Sequence, residues 1–299
     1  MKYYLGIDAG GTFTRMVLFN QDGDEVDTLR LESIHYMQVG FDGIQSILER
    51  GKHEFITRGY SFEMMAVAIG TAGYGNDSKI RAKIENAIWS VFPNALIMND
   101  AQFAMVSALD NHDGVYLISG TGSIAMRKIG CTTDRRGGYG YLLGDEGSAF
   151  WIGRHLLSVF TQESDGRLPK SDFYYAMMEH FKLNHPYDLV GVVNEAQDRY
   201  RNFASEVSLV GSSCLHVDHV SEIYRNAGIE LAKLANSFEL NGKTKIAFGG
   251  GVLLNNECVR ASLIDHIHEA YDVVPYHQSV EYAAYLLLNQ KNPYEMELT

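Results

Sequence analysis

Two glycine turns, each set between apolar strands, constrain this chain more than any other feature. The first, Asp8-Ala9-Gly10-Gly11-Thr12, separates apolar segments at 3–7 and 15–19. The second, Gly120-Thr121-Gly122-Ser123, separates 115–119 from 123–129. Glycine lets a hairpin turn tightly and lets backbone N–H groups approach a bound phosphate, while the Thr and Ser hydroxyls add donors at the same place. Either turn alone could be a plain hairpin tip. Two of them, near the starts of two similar stretches of sequence, point to a duplicated unit.

The segments around the turns repeat in order. In the first half, the turn at 21–24 leads to a strand at 25–31, and apolar residues at helical spacing follow (Phe41, Ile44, Ile47, Leu48). A buried strand at 64–69, a helix marked by Ile80, Ile84, Ala87, Ile88 and Val91, a strand at 95–98 and a helix at 101–109 complete it. The second half, after its glycine hairpin, carries a long helical stretch, with its clearest helix through Ile223, Ala227, Leu231, Leu234 and Phe238. A strand at 245–248 then ends in Gly249-Gly250-Gly251. Asn255 is a candidate cap for the helix after it, and a strand at 271–274 and a last helix near 279–289 follow. The expected architecture is α/β: two duplicated lobes, 1–113 and 114–299, with a cleft between them and the last helix packing back on the first lobe.

With 299 residues, 46% hydrophobic and 21% charged, the chain can build two cores. Asp and Glu outnumber Lys and Arg by 37 to 25, a net charge of -12, which argues against nucleic-acid or anionic-membrane partners. The first residues form a poor signal peptide, and no segment nears the ~20 apolar residues of a membrane helix, so a cytoplasmic protein is expected. Cys131, Cys214 and Cys258 stand far apart without a CxxC pair and read as reduced packing residues. Rival phosphate motifs fail. Ser237 stands where a P-loop ending in Gly242-Lys243-Thr244 needs its first glycine, and no Gly-x-Gly-x-x-Gly follows the first strand.

The motifs resemble a known family. Residues 6–12 (GIDAGGT) look like the phosphate-1 motif of the actin, Hsp70 and hexokinase superfamily; 118–123 (ISGTGS) resemble its phosphate-2 motif and 248–252 (FGGGV) its adenosine motif. Gly144-Asp145-Glu146-Gly147-Ser148-Ala149 is similar to a segment of N-acetylglucosamine kinases and of the wider BadF/BadG/BcrA/BcrD ATPase family. The resemblance implies two RNase H-like lobes of actin/hexokinase type with an ATP cleft between them. It implies an ATP-dependent phosphotransferase acting on N-acetylglucosamine or a close relative, glucosamine or N-acetylmuramic acid, and working as a homodimer.

The same resemblance implies roles for single residues. Asp8 would hold Mg2+. Gly10, Gly11, Thr12, Gly120, Thr121, Gly122 and Ser123 would wrap the ATP phosphates, and Gly249 and Gly250 would lie against the adenosine. Asp100, after the strand at 95–98, would be the catalytic base and touch the sugar; read without the resemblance it could equally be a helix N-cap. Gly138, Tyr139, Gly140 and Asp145 would form the substrate loop. Glu146 would bind sugar or cap the next helix. His35 stands where these kinases carry an Asn-His pair contacting the sugar, with Ile34 in place of the Asn. An alternative in the same family is the ATPase activator of a 2-hydroxyacyl-CoA dehydratase. Such activators need thiolates for an iron–sulfur cluster, and Cys131 has no second cysteine near it before Cys214. A transcription regulator or chaperone-like switch is not expected, because no helix-turn-helix extension precedes Met1 and no peptide-binding appendage follows Thr299.

Overall fold

In a computed structural model, residues 2–130, 132–196, 199–275 and 278–289 are described. They group into two compact units, Met1–His112 with His277–Thr299, and Asp113–Tyr276.

The first unit is built on β1 (Tyr3–Ala9), β2 (Phe13–Phe19), β3 (Glu25–Glu32), β4 (Met65–Thr71) and β5 (Leu96–Asn99), in the order β3-β2-β1-β4-β5. β1, β2 and β3 pair antiparallel, whereas β4 and β5 run parallel to β1. One sheet face is covered by α1 (Tyr36–Thr57) and α2 (Ser78–Val91), which bury Ile44, Leu48, Phe55, Ile84 and Ile88 against Leu5, Ile7, Met16 and Ile69. α1 is kinked at Gly40, whose φ of 69° no helix interior adopts. Against the other face lie α3 (Asp100–Ala108) and the C-terminal segment 280–289, where Phe103 and Val106 bury with Ala283 and Ala284.

The second unit repeats the topology. β6 (Gly114–Ser119), β7 (Ser123–Ile129) and β8 (Thr132–Gly137) pair antiparallel, and β9 (Thr244–Gly249) and β10 (Tyr271–Val273) run parallel to β6, in the order β10-β9-β6-β7-β8. The doubled α/β architecture expected from the motifs is what the chain forms. Its helices are α4 (Ala149–Ser164), α5 (Asp172–His180), α6 (Asp188–Glu195), α7 (Tyr200–Ser212), α8 (Asp218–Asn236), α9 (Gly251–Asn255) and α10 (Glu257–His266), and α11 (Ala283–Asn289) returns to the first unit. One large core joins Val115, Leu117 and Ile246 of the sheet to Leu156, Phe160, Val207, Tyr224 and Leu231 of the helices.

Three local expectations are corrected. β8 was not foreseen: its sequence, TTDRRG, is polar and only partly buried, as an edge strand can be. The cap of α10 is Asn256, which accepts from the Val259 N–H, and not Asn255, which ends α9. The last helix opens as a 3-10 turn, Val280–Tyr282, before α11 begins.

Candidate functional site

Parallel strands leave ligand-binding residues at their carboxyl ends, where the chain turns away from the sheet. In the first unit, Asp8 is the next-to-last residue of β1, ahead of the Gly10-Gly11 hairpin, while Asp100 follows β5 directly. In the second, Ser119 and Gly249 end β6 and β9. The two glycine hairpins therefore sit at corresponding places of the two sheets, after β1 and after β6.

The glycines divide into two kinds. Gly250 has φ 84°, and a Cβ there would collide with the Ser119 carbonyl; the strand-to-helix turn itself demands glycine. At Gly11 and Gly120 the backbone has no positive φ and a methyl would meet nothing closer than 3.8 Å. The fold would accept a side chain at these two positions, as it would at Gly75 and Gly191. Thr12 and Thr121 are exposed at the same tips. Ser123 departs from its expected role: it is 4% exposed, and its hydroxyl donates to the Glu146 carbonyl at 2.7 Å.

Asp100 is the first residue of α3. The cap position is Asn99, whose side chain accepts from the Ala101 N–H at 3.0 Å, and Asp100 Oδ1 accepts from the same N–H at 2.9 Å. Burial pushes the Asp100 carboxyl above the ordinary aspartate range, opposed by the N–H of Ala101, its own N–H and the neighbouring His35. Asp8 is pushed up to about 7, first by burial, then by the carboxylates of Glu281 and Asp100, with Arg15 pulling it down. Glu281 is 2% exposed and pairs with Arg15 at 3.3 Å. Three carboxylates thus face one guanidinium, which leaves a deficit of positive charge at Asp8. Among the described residues no three His, Cys, Asp or Glu side chains cluster as metal ligands.

His35 caps α1: its Nδ1 accepts from the Met37 N–H at 3.3 Å and its ring stacks on Tyr36. Its Nε2 lies beside Gly73, and the ring is near enough to Asp100 to lower that carboxyl's proton affinity. Ile34 is 1% exposed and belongs to the apolar core, so its side chain cannot take over the polar contact of an Asn.

In the second unit, Asp145 is not a solvated loop acid. It is 3% exposed, holds φ 64°, accepts from the Ser123 N–H at 3.3 Å through Oδ1, and pairs with Arg201 at 3.3 Å through Oδ2. Glu146 is exposed, and the cap of α4 is Ser148, which accepts from the Trp151 N–H. Tyr139 is exposed between Gly138 and Gly140, both of positive φ. Gly120 and Thr121 line a cavity of about 470 Å³ with Ala149, Ile152, Gly251, Val252 and Asn255. Its far wall is one face of α7: Asn202, Ser205, Glu206, Leu209 and Ser212. Leu209 is 71% exposed there and gives that wall an apolar surface. Sequence reading missed α7, Arg201 and Glu281. Their neighbours lie 56 to 273 positions away, and no local motif marks them; only the stripe 202, 205, 209, 212 of α7 was there to be noticed.

Cys214 is buried and free, Cys258 is partly buried and free, and Cys131 lies outside the described residues. Among the described residues no helix is long and apolar enough to cross a membrane.

Comparison with known proteins agrees with this layout. Residues 5–284 match the model of a family described as the BadF/BadG/BcrA/BcrD ATPase family. An N-acetylmuramic acid/N-acetylglucosamine kinase of Clostridium acetobutylicum is 27% identical over 274 residues, which is 86% of this chain and 87% of that one. An N-acetyl-D-glucosamine kinase of Dictyostelium discoideum is 27% identical over 254 residues, 79% of each chain. A solved structure from Chromobacterium violaceum, described with N-acetylglucosamine kinase as its proposed activity, superposes with a TM-score of 0.76 at 21% identity. It covers 97% of this chain and 99% of its own, and shows the same fold.

Proposed function

This chain belongs to the BadF/BadG/BcrA/BcrD ATPase family, and from that membership we infer an ATP-dependent kinase whose acceptor is an amino sugar of the N-acetylglucosamine type. The observation that supports it most is the pair of glycines, Gly11 and Gly120, that the fold does not need, each at the carboxyl end of a sheet. In the second unit the 470 Å³ cavity takes the nucleotide. Gly249 and Gly250 form the turn against the adenosine, α7 meets the base, and Gly120, Thr121 and Gly122 meet the phosphates. In the first unit Gly10, Gly11 and Thr12 offer the matching donors.

Asp100 is the base. It directly follows a strand, and burial raises its proton affinity, which suits a group that accepts a proton. Asp8, crowded by Glu281 and Asp100, is the residue to hold Mg2+, which neutralises charge on the transferring phosphate. Asp145, Glu146, Tyr139 and the flanking Gly138 and Gly140 form the sugar loop. His35, already a cap through Nδ1, has Nε2 to offer a sugar hydroxyl. A homodimer in a reducing compartment completes the reading, which two free thiols suit.

The test is ADP release with glucose, glucosamine, N-acetylglucosamine and N-acetylmuramic acid, followed by mass spectrometry. ADP should form only with an amino sugar, together with its phosphate ester. Equal hydrolysis with all four and no ester would sink the kinase reading.

A further inference from the structure

We propose that Arg201 is a catalytic residue of this reaction, contacting the phosphoryl group as it is transferred; the proposal rests on the kinase reading above. Arg201 is the second residue of α7, the helix that walls the nucleotide cavity, and Asn202 and Ser205 beside it line that cavity. Its Nη2 lies against the second phosphate turn so closely that a Cβ on Gly122 would overlap it. The same Nη2 meets Asp145 Oδ2 at 3.3 Å, while Asp145 Oδ1 is held by the Ser123 N–H of that turn. Its guanidinium also lies 5.9 Å from the Tyr141 ring centroid.

Two facts say that this contact is more than a clamp on Asp145. The Arg201 side chain is 41% exposed and stays open to a ligand beside the turn, while its Nε is buried without a hydrogen-bond partner. A phosphate oxygen at the turn can meet the exposed part of the guanidinium, whose planar donors suit phosphate. The second phosphate turn also supplies only neutral donors, the N–H groups of Gly120–Gly122 and the Thr121 hydroxyl, in a chain of net charge -12. ATP brings several negative charges to it. Arg201 is the cation placed on that turn.

In the step itself the sugar hydroxyl oxygen bonds to the γ-phosphorus and the bond from phosphorus to the β–γ bridging oxygen breaks. Its electron pair leaves on ADP, and the hydroxyl proton goes to Asp100. Arg201 makes and breaks no covalent bond; it balances charge on the equatorial phosphoryl oxygens, the role cationic side chains play in phosphoryl transfer.

The test compares wild type with R201M and R201K in steady-state kinetics, with ADP affinity and melting temperature measured on each. R201M should lose roughly 10²–10³ in kcat, with ADP affinity changed by less than about threefold, because ADP lacks the transferred group. Millimolar guanidinium ion should restore R201M at least about fivefold without affecting wild type. R201K should melt like wild type yet lose more than about tenfold in kcat, since an ammonium cannot replace the fork. The proposal is overturned if R201K keeps full turnover, if guanidinium gives no rescue, or if the loss in R201M lies wholly in the Michaelis constant for the sugar. That last pattern would make Arg201 a holder of Asp145 only. A wild type that phosphorylates no amino sugar would instead overturn the kinase reading.

Discussion

Asp100 shows how a residue's chemistry can be separated from its place in the fold. At the start of a helix an aspartate is ordinarily a cap, and the local sequence Asn99-Asp100-Ala101 permits that assignment to either of the first two. The structure puts Asn99 at the cap position, with Asp100 accepting from the same N–H, and leaves Asp100 half-buried with its proton affinity raised. Two consequences have opposite signs in pH. A base must be unprotonated, so kcat/KM should fall on the acid side through a midpoint above the ordinary aspartate value of 3.8. Stability runs the other way. The folded state binds this proton more readily than the unfolded chain, so stability decreases as pH rises from the unfolded value through the folded one. Asp100→Asn should therefore lower kcat by about 10²–10⁴ while melting no lower than wild type at pH 7.5. A variant keeping more than about a third of wild-type turnover would remove Asp100 from the role of base. Asp100 was singled out through the family resemblance, because its place after an apolar strand permits a helix cap just as well. Glu281 and Arg201 were not, because their partners are brought close only by folding.

The hairpins and strand ends were the most legible elements. Apolar strands bracketing glycine declare themselves through composition and period, and the fold places both tips as the motifs implied. β8 escaped because an edge strand with polar residues on both faces has no period to read. The glycines of these turns also yield a prediction about elements. Gly250→Ala forces a Cβ into the Ser119 carbonyl at φ 84°, so the β9–α9 turn must deform. The expected result is a lower melting temperature and loss of nucleotide affinity together. Gly11→Ala meets open space at an ordinary φ, so it should melt like wild type. If phosphate approaches the Gly11 backbone, the Michaelis constant for ATP should nevertheless rise by about tenfold or more. An unchanged Michaelis constant in a normally folded Gly11→Ala would reduce the first turn to a hairpin tip. Calorimetry and initial rates on the two variants distinguish the cases.

Chain order and compact units do not coincide. The first unit is finished by residues that come after the second, since 278–289 returns to β1, β4 and α3. This segment is more than a trailing helix. Ala283 and Ala284 are fully buried against Phe103 and Val106; Tyr282 and Tyr285 pack edge-on to Phe19 and Tyr4; and the Ser279 carbonyl accepts from the Ser107 hydroxyl at 2.6 Å. Gly6 lies so close to the Glu281 backbone that no side chain fits at position 6. Ending the chain after residue 276 would uncover Tyr4, Val17, Phe19, Phe103 and Val106 at once. Several large apolar side chains at ~1.5–3 kcal/mol each amount to the ~5–15 kcal/mol that holds an ordinary domain folded. The expected outcome is an aggregation-prone first unit and no sugar phosphorylation. The second unit is continuous in sequence and owns its core and the 470 Å³ cavity proposed for the nucleotide. Residues 113–276 expressed alone should therefore fold cooperatively and bind ADP within about tenfold of the full chain. Circular dichroism and titration calorimetry on both pieces decide this. A folded, active chain truncated after 276 would show that the returning segment is an accessory. A fragment 113–276 that folds but does not bind ADP would show that the nucleotide site is not the second unit's own.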